Sequence, residues 1–338
     1  MERLSLGKIP IKTLNSTVLR LTGAASDRVV TPAKAGLDFA AFRAGGRFVV
    51  VSADPITGAS QQIGTYALKV SANDVATSGN APQFAETVIL LPEGASGSDL
   101  AKIARQIHNA AKESGITILG GHTEVTPGLA RPIVAVTVFS VVDKFVTSGG
   151  ARDGDMMMMT KTAGLEGTSE LAREGELPPG AITATELKSA RRFIGQLDVT
   201  REAVAAFRTG RVHAIHDCTE GGVLGAAFEM SLASETGFVL NEAEVPVANE
   251  TEKICKSLGI DPVRLIGSGS LLLAVAKGGE PEVEKALSPI CRVTRIGEFR
   301  KGRRLILTRS GATKEMKEAP QDELWRVLGR SSDRRHRF

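Results

Sequence analysis

The sequence predicts an α/β (α+β) protein of two domains, and three observations support this fold class. The chain has 338 residues, more than one ordinary hydrophobic core accommodates. Short β-branched runs alternate with helical patterns along both halves. A loop rich in Gly and Asp, SGGARDGD at 148–155, separates the halves. We therefore expect a first domain at 1–150, a second at 151–310 and a basic, flexible tail at 311–338.

In the first half, apolar runs and helical spacing alternate in a regular order. After an irregular opening segment, the pattern predicts strands at 47–52, 84–92, 116–119 and 132–142, and helices at 62–79 and 98–113. The helix at 98–113 is amphipathic and ends at Gly115. The strand at 116–119 is expected to end in a turn at Gly120-Gly121.

The second half opens on four consecutive methionines, MMMM at 156–159. A soft-metal site is one interpretation, but a buried strand of adaptable apolar side chains is the simpler one. Helical patterns follow at 165–174, 183–194 and 199–208, a helix follows HDCTEGG, and strands are predicted at 267–276, 292–298 and 304–308.

Composition excludes several classes of protein. Hydrophobic residues make up 42% and charged residues 24%, as in globular proteins. No apolar run reaches the length of a membrane span, and a signal-peptide pattern is absent from the N-terminus. The three cysteines, at 218, 255 and 291, lie far apart without a CxxC pair, which argues against a zinc cluster or disulfide framework and favours a reducing cytoplasm.

The net charge of +4 comes from one end of the chain. From Arg300 onward there are 12 Lys/Arg and 5 Asp/Glu, so this part carries +7 and the preceding part −3. The stretch GRSSDRRHRF has one aromatic residue and is most simply a solvated end. No interleaved aromatic platform accompanies the basic residues, so a nucleic-acid partner is not expected.

Polar clusters interrupt the apolar periodicity at the boundaries of predicted elements. They are Asp38 in GLDFAAF, Asp54 after the strand ending at Ser52, Asn73-Asp74 in KVSANDVATSGNAP, GGHTE at 120–124, and HDCTEGG with His216 and Asp217. Magnesium takes oxygen ligands and needs only a few carboxylates besides substrate phosphates. Phosphate groups bind to main-chain N–H groups, and glycines let the backbone come close enough to them.

Each cluster also has a simpler interpretation. Asp38 could be a turn residue, Asp54 could initiate a turn before Pro55, and Asp217 could loosely cap a helix. The pair Gly120-Gly121 could be a turn without a ligand. Asp74 is harder to explain structurally, because a carboxylate among apolar neighbours in a helix is costly to bury unpaired. Taken together, the clusters indicate a metal-phosphate site.

The order of these clusters resembles the aminoimidazole ribonucleotide (AIR) synthase superfamily from about Gly36 to Arg300. Its most specific part is IGTYALKVSANDVATSGNAP, and HDCTEGGVLGA is similar to the family's D-x-T-x-G-G element. The resemblance implies an N-terminal domain whose strands complete a β-barrel across a homodimer, and a C-terminal α/β layered domain. It also implies ATP in the cleft and Mg²⁺ on aspartates.

Carried over position by position, the resemblance assigns roles to residues of this chain. Asp38, Asp54 and Asp74 are the metal-ligand candidates, with Asp74, His122 and Glu124 as catalytic candidates. The cofactor-binding candidates are Asn73, Gly120, Gly121, Thr123, Asp217, Thr219, Gly221 and Gly222.

Two positions depart from the family pattern. Several relatives have an acid where this chain has His122, and histidine is a poorer magnesium ligand, so it is expected to contact a phosphate or orient Glu124. The opening motif of some members carries two adjacent acids, whereas Leu37 stands at the first place here. One metal-binding position is therefore missing or differently supplied.

The segment GGHTEVTPGLARPIVAV is most similar in sequence to the hydrogenase-maturation branch of this superfamily. That branch works through a C-terminal cysteine that accepts a carbamoyl group, but this sequence ends in RRHRF and Cys291 is expected in the core. The resemblance implies an ATP-dependent enzyme that activates an amide or carbonyl oxygen or transfers phosphate, on a small molecule or a partner's thiol. The alternatives are a thiamine-monophosphate-kinase-like phosphotransferase and a non-catalytic ATP-binding scaffold.

Overall fold

The computed structural model describes residues 4, 6–57, 61–174 and 177–327. Its first domain begins with a short helix, α1 (Ile11–Ser16), and continues as a six-stranded sheet with two longer helices. The strands are β1 (Val29–Thr31), β2 (Ala40–Ala44), β3 (Arg47–Ile56), β4 (Phe84–Leu91), β5 (Thr117–Val125) and β6 (Ile133–Val142). The helices are α2 (Ile63–Ala76) and α3 (Gly97–Ser114).

Strand order in this sheet is β1-β2-β3-β6-β4-β5, and only β4 and β5 pair in parallel. Every second residue of β6 is buried, because α2 and α3 cover one face of the sheet. Helix α3 begins with a capping box between Ser96 and Asp99 and ends at Gly115, whose φ is +69°. Nearly all of α2 is buried, since it packs against the sheet, α3 and the second domain.

The described part of the second domain contains a seven-stranded sheet of order β13-β12-β9-β11-β7-β10-β8 and the α-helices α4 to α9. Its strands are β7 (Met156–Thr160), β8 (Val212–Asp217), β9 (Gly237–Asn241), β10 (Leu271–Val275), β11 (Val293–Arg300), β12 (Arg304–Leu307) and β13 (Thr313–Glu315). Its helices are α4 (Leu165–Glu174), α5 (Ala184–Arg191), α6 (Thr200–Arg208), α7 (Gly222–Ala233), α8 (Asn249–Leu258) and α9 (Glu280–Leu287).

The methionine run forms a buried strand, as expected. Strand β7 lies inside the sheet, with Met157 and Met159 in one apolar cluster and Met156 and Met158 in the other. Because both faces of the strand are covered, four adaptable apolar side chains in succession fit there.

The expected turn at GGHTE is wrong. Residues 120–124 lie inside β5, which runs from Thr117 to Val125 along the edge of the first sheet with one irregularity in its pairing between Ile118 and Gly120. Gly121 has a φ of +146°, and a β-carbon there would lie 1.8 Å from the main-chain oxygen of Thr87. The absence of a side chain at Gly121 therefore lets β5 lie close to β4.

Five further elements differ from the sequence expectations. Asp54 lies inside β3 and not after its end, because the strand continues four residues beyond Ser52. The opening segment contains β1 and β2, and the second domain contains β9 and α8, which the apolar pattern did not separate from loops.

Residues 311–327 pack on the second domain. They include β13 and a helical segment at 323–327 in which Leu324 is buried. The basic residues at 330–337 lie outside the described part of the chain. Among the described residues, no helix has both the length and the apolar character needed to cross a bilayer.

Candidate functional site: an acidic cluster between the domains

Four aspartates from both domains gather at the domain interface. Asp38 precedes β2, Asp54 lies in β3, Asp74 lies in α2, and Asp217 is the last residue of β8. Ser52 Oγ lies 2.7 Å from Asp74 Oδ2 and 2.9 Å from the main-chain oxygen of Asp38. The charges of the other three aspartates all raise the pKa of Asp74, so the four carboxyl groups are electrostatic neighbours.

The carboxylate oxygens of this cluster lack the partners that buried oxygens normally have. Oδ2 of Asp38 and both side-chain oxygens of Asp217 accept no hydrogen bond from the described residues. Burial, and then the charge of Asp217, raise the pKa of Asp74 well above its usual range. Burial and the charge of Asp38 raise the pKa of Asp217 to about 8. A cation bound here would supply the missing partner and restore the ionised forms.

His216 is held among carboxylates as an imidazolium. Its Nδ1 lies 2.5 Å from Asp38 Oδ1 and its Nε2 lies 3.1 Å from Glu229 Oε2. Burial lowers the pKa of His216, but the charges and hydrogen bonds of these two carboxylates outweigh it and raise the pKa to about 10. Asp38, His216 and Asp217 lie close enough to surround an ion. Nε2 of His216 hydrogen-bonds Glu229, whereas Nδ1 lies at ion-pair distance from Asp38 without the geometry of a hydrogen bond. In its protonated form the ring has no lone pair to offer a metal ion.

Both ends of the described chain reach the same part of the site. Lys8 Nζ lies 3.1 Å from Glu229 Oε1, and the main-chain N–H of Lys8 donates to Glu220 Oε1 at 2.7 Å. Trp325 Nε1 donates to the same oxygen of Glu220 at 2.9 Å. Lys8 and His216 thus both place a positive charge against Glu229.

The N–H groups of the HDCTEGG segment are already engaged. The N–H of Gly221 donates to Asp322 Oδ2 at 2.6 Å, that of Gly222 to the carbonyl of Thr219 at 2.9 Å, and that of Thr219 to the carbonyl of Asp217 at 3.1 Å. A β-carbon on Gly222 would lie 2.7 Å from main-chain oxygens, so packing alone requires a glycine there. Phosphate contact through Gly221 remains a prediction and requires Asp322 to move.

The GGHTE residues do not touch the aspartates within one chain. Strand register places Asp54, Val136, Thr87 and Gly121 in one row across the sheet, three strand spacings or about 14 Å from end to end. The pairing of His122 with Glu124 is present, at 3.1 Å between Nε2 and Oε2, on an exposed part of β5. The roles of Gly120, Thr123 and Glu124 stay predictions.

Asn73 lies beside Asp74 but serves the domain interface. Its Nδ2 donates to the carbonyl of Leu197 at 2.8 Å, and its Oδ1 accepts from the N–H of Val199 at 3.1 Å. The side chain is fully buried, so contact with a nucleotide would break both hydrogen bonds. Asn73 thus ties α2 to the second domain.

The sequence analysis missed Lys8, Ser52, Glu166 and Glu229. Glu229 carried a signal, because it is the lone charged residue in the otherwise apolar helix α7, GVLGAAFEMSLA. Glu166 is buried at the start of α4, and burial raises its pKa to about 7, with the charges of Asp322 and Asp54 adding to the effect. Lys8 and Ser52 had no local pattern that distinguished them.

Comparison with known proteins covers most of the chain. The model of the AIR synthase related protein N-terminal domain matches residues 36–142, and that of the AIR synthase related protein C-terminal domain matches residues 152–310. A putative hydrogenase expression/formation protein of Methanocaldococcus jannaschii is 29% identical over 228 residues, which are 66% of this chain and 65% of that protein, just under two thirds. The carbamoyl dehydratase HypE of Cupriavidus necator is 29% identical over 276 residues, covering 78% and 76%.

Solved structures share the fold. The HypE–HypF complex superimposes with a TM-score of 0.74 and 20% identity, covering 90% of this chain and 99% of the other. HypE in complex with ATP gives a TM-score of 0.70 at 20% identity, covering 93% of each. Thiamine monophosphate kinase from Aquifex aeolicus gives 0.66 at 17%, covering 87% and 96%. The expected two-domain architecture is therefore confirmed.

Proposed function

This chain belongs to the AIR synthase related family, and from that premise we propose that it is an ATP- and Mg²⁺-dependent enzyme that activates an amide or carbonyl oxygen. One observation carries the proposal: buried aspartates of both domains meet with carboxylate oxygens that have no partner among the described residues. Relatives named carbamoyl dehydratase, and a HypE structure with ATP, support the reaction class and the nucleotide.

The residues fit a magnesium ion. Asp38 Oδ2 and the two oxygens of Asp217 are the unpartnered ligand atoms, and Asp54 and Asp74 flank them. Bound Mg²⁺ would neutralise charge on the phosphates during transfer. The chain itself holds Asp38 against the His216 imidazolium, which leaves Oδ2 free for the ion.

We also propose that the chain works as a homodimer whose β5 edges meet in a barrel. Strand β5 has a neighbour on one side only and exposes Leu119 and Val125 by 54% and 56%. An exposed apolar edge strand normally pairs or is covered. Pairing between copies would also place His122 and Glu124 at the interface.

The substrate is proposed to be a separate amide or carbamoyl compound, either a small molecule or a group carried on a partner protein's thiol. Cys218 and Cys255 are buried, and Cys291 is half-buried with a pKa raised by burial to about 11. None of these three is therefore suited to act as a mobile carrier. The HypE–HypF structure supports a protein partner for a related chain.

The test is Mg²⁺-dependent release of ADP, screened with carbamoyl compounds, small amides and thiamine phosphate. Asp38→Asn, Asp54→Asn, Asp74→Asn and Asp217→Asn should each lower turnover at least about 100-fold, because each removes a carboxylate from the metal site. Asp143→Asn, a surface acid paired with Arg47, is the control and should keep full turnover.

Turnover that survives in the Asp38, Asp54 and Asp74 variants would show that the metal assignment is wrong. A scaffold would instead bind ATP without releasing ADP under any condition. Turnover with thiamine phosphate alone would favour the kinase-like alternative over amide activation.

A further inference from the structure

A cavity of about 820 Å³ opens between the two domains on a different face of α2 from the aspartates. Lys69 lines it from α2 and lies one helical turn before Asn73, which binds main-chain atoms of the second domain. Asp74 is directed instead toward Ser52. The described residues that line the cavity include none of the four aspartates, so the cavity is separate from the candidate metal site.

Cations outnumber carboxylates in the cavity wall. The charged lining residues are Lys69, Lys161, Arg201 and Arg292, and Glu113, Asp198 and Glu202. Two cations are paired: Lys69 Nζ lies 3.1 Å from Glu113 Oε2, and Lys161 Nζ lies 2.6 Å from Glu202 Oε1. The third carboxylate, Asp198, accepts hydrogen bonds from Ser114 Oγ at 2.7 Å and from the N–H of Thr200 at 2.8 Å.

Arg201 and Arg292 remain without a counterion. Neither guanidinium forms an ion pair or hydrogen bond with the residues that the structure describes. Arg201 lies in the first turn of α6, and Arg292 directly precedes β11. A guanidinium presents a planar fork of donors that matches the oxygens of a carboxylate or phosphate. Two unpaired forks on one cavity therefore suit an oxyanion.

Part of the cavity wall is preformed. Lys161 has a φ of +55°, an unfavourable backbone conformation for a residue other than glycine. Its Nζ donates to the carbonyls of Gln196 at 2.8 Å and Asp198 at 3.0 Å, which fixes the loop before α6 to the end of β7. Such a conformation persists only where the surroundings hold it, as they do here.

We propose that this cavity binds the carboxylate or phosphate group of a small organic anion through Arg201 and Arg292. Its volume lies within the range of roughly 300–1,000 Å³ typical of small-molecule sites. The proposal does not depend on the reaction at the aspartates, since no residue is shared between the two sites.

The experiment is calorimetric titration of the full chain, in EDTA, with ribose 5-phosphate and with glutarate. Saturable binding of either compound is the expected result, and the compound that binds more tightly identifies the preferred group. Arg201→Gln and Arg292→Gln should each weaken binding about tenfold or more, because each removes charge-assisted hydrogen bonds. Arg208→Gln, on the same helix but outside the cavity, is the matched control and should bind like the wild type.

A second measurement locates the ligand. Cys291 lines the cavity, whereas Cys218 and Cys255 are buried. The bound anion should therefore slow the labelling of Cys291 by maleimide, which mass spectrometry measures. The proposal would be overturned if neither compound binds, if both glutamine variants bind as tightly as the wild type, or if saturating ligand leaves the labelling of Cys291 unchanged. Because EDTA removes metal ions, anion binding is measured without the proposed Mg²⁺ site. Asp74→Asn should bind the anion as the wild type does, so failure of this proposal can be told apart from failure of the proposed metal site.

Discussion

Replacing Asp217 by Asn should stabilise the metal-free protein while removing its response to Mg²⁺. The Asp217 side chain is 1% exposed, and neither of its oxygens has a hydrogen-bond partner among the described residues. Asparagine has nearly the same shape but no charge, so the substitution removes electrostatic repulsion with little change in packing. A buried charge without a partner is the unfavourable state that the substitution relieves.

The magnitude follows from the pKa of Asp217, which burial and the charge of Asp38 raise from 3.8 to about 8. A pKa raised on folding means that the folded protein favours the protonated acid. The stabilising contribution of this group is therefore complete below pH 3.8 and is lost as the pH rises to about 8. Each pH unit in that window costs about 1.4 kcal/mol, so the wild type should lose about 3 kcal/mol between about pH 5.5 and 8 relative to Asp217→Asn.

Urea unfolding in EDTA at these two pH values measures the difference directly. Asp143→Asn removes an exposed acid and should follow the wild type. With Mg²⁺ added, the wild type should gain stability, more at the higher pH, and Asp217→Asn should gain little. The reasoning fails if Asp217→Asn is less stable than the wild type at pH 8, or if their difference does not change with pH.

Three further changes have expected outcomes. Asn73→Ala should lower the free energy of unfolding by about 2–4 kcal/mol, because two buried main-chain groups lose their partners; an unchanged urea midpoint would refute its role at the domain interface. Gly121→Ala should cost at least about 2 kcal/mol in the same assay, because its β-carbon meets the main chain of β4, whereas Gly120→Ala, with open space around it, should cost much less. Leu119→Lys should yield monomers in sedimentation velocity while the exposed Leu21→Lys leaves the dimer intact, and a monomeric wild type would contradict the proposed β5 interface.

The four aspartates could be found from the sequence because each stands among apolar or small residues. Asp74 sits in a helix whose neighbours are almost all buried, and Asp217 ends a buried strand. For Asp74 the cost of burying an unpaired carboxylate already argues for a site, whereas the other three aspartates also had simpler explanations and gained their roles from the family resemblance. The regular alternation of strands and helices likewise made the two α/β domains predictable.

The remaining site residues could not be found because their meaning depends on distant parts of the chain. Lys8 meets Glu229, 221 positions away, and Asp322 meets Gly221, 101 positions away. Local spacing contains no information about such contacts. The glycines are ambiguous for a related reason: Gly121 and Gly222 have backbone neighbours that exclude a β-carbon, and a sequence cannot distinguish that need from phosphate binding.

Helix α2 makes both a repulsive and an attractive contact with the second domain. The charge of Asp74 is repelled by that of Asp217 across the domain interface, and the preceding residue, Asn73, binds the second domain through two hydrogen bonds. Since repulsion falls when a cation screens the carboxylates while the hydrogen bonds do not change, metal binding should hold α2 more firmly against the second domain. Under the proposed metal assignment, ion binding would strengthen the contact between the domains, and the hydrogen bonds of Asn73 would maintain that contact without the ion.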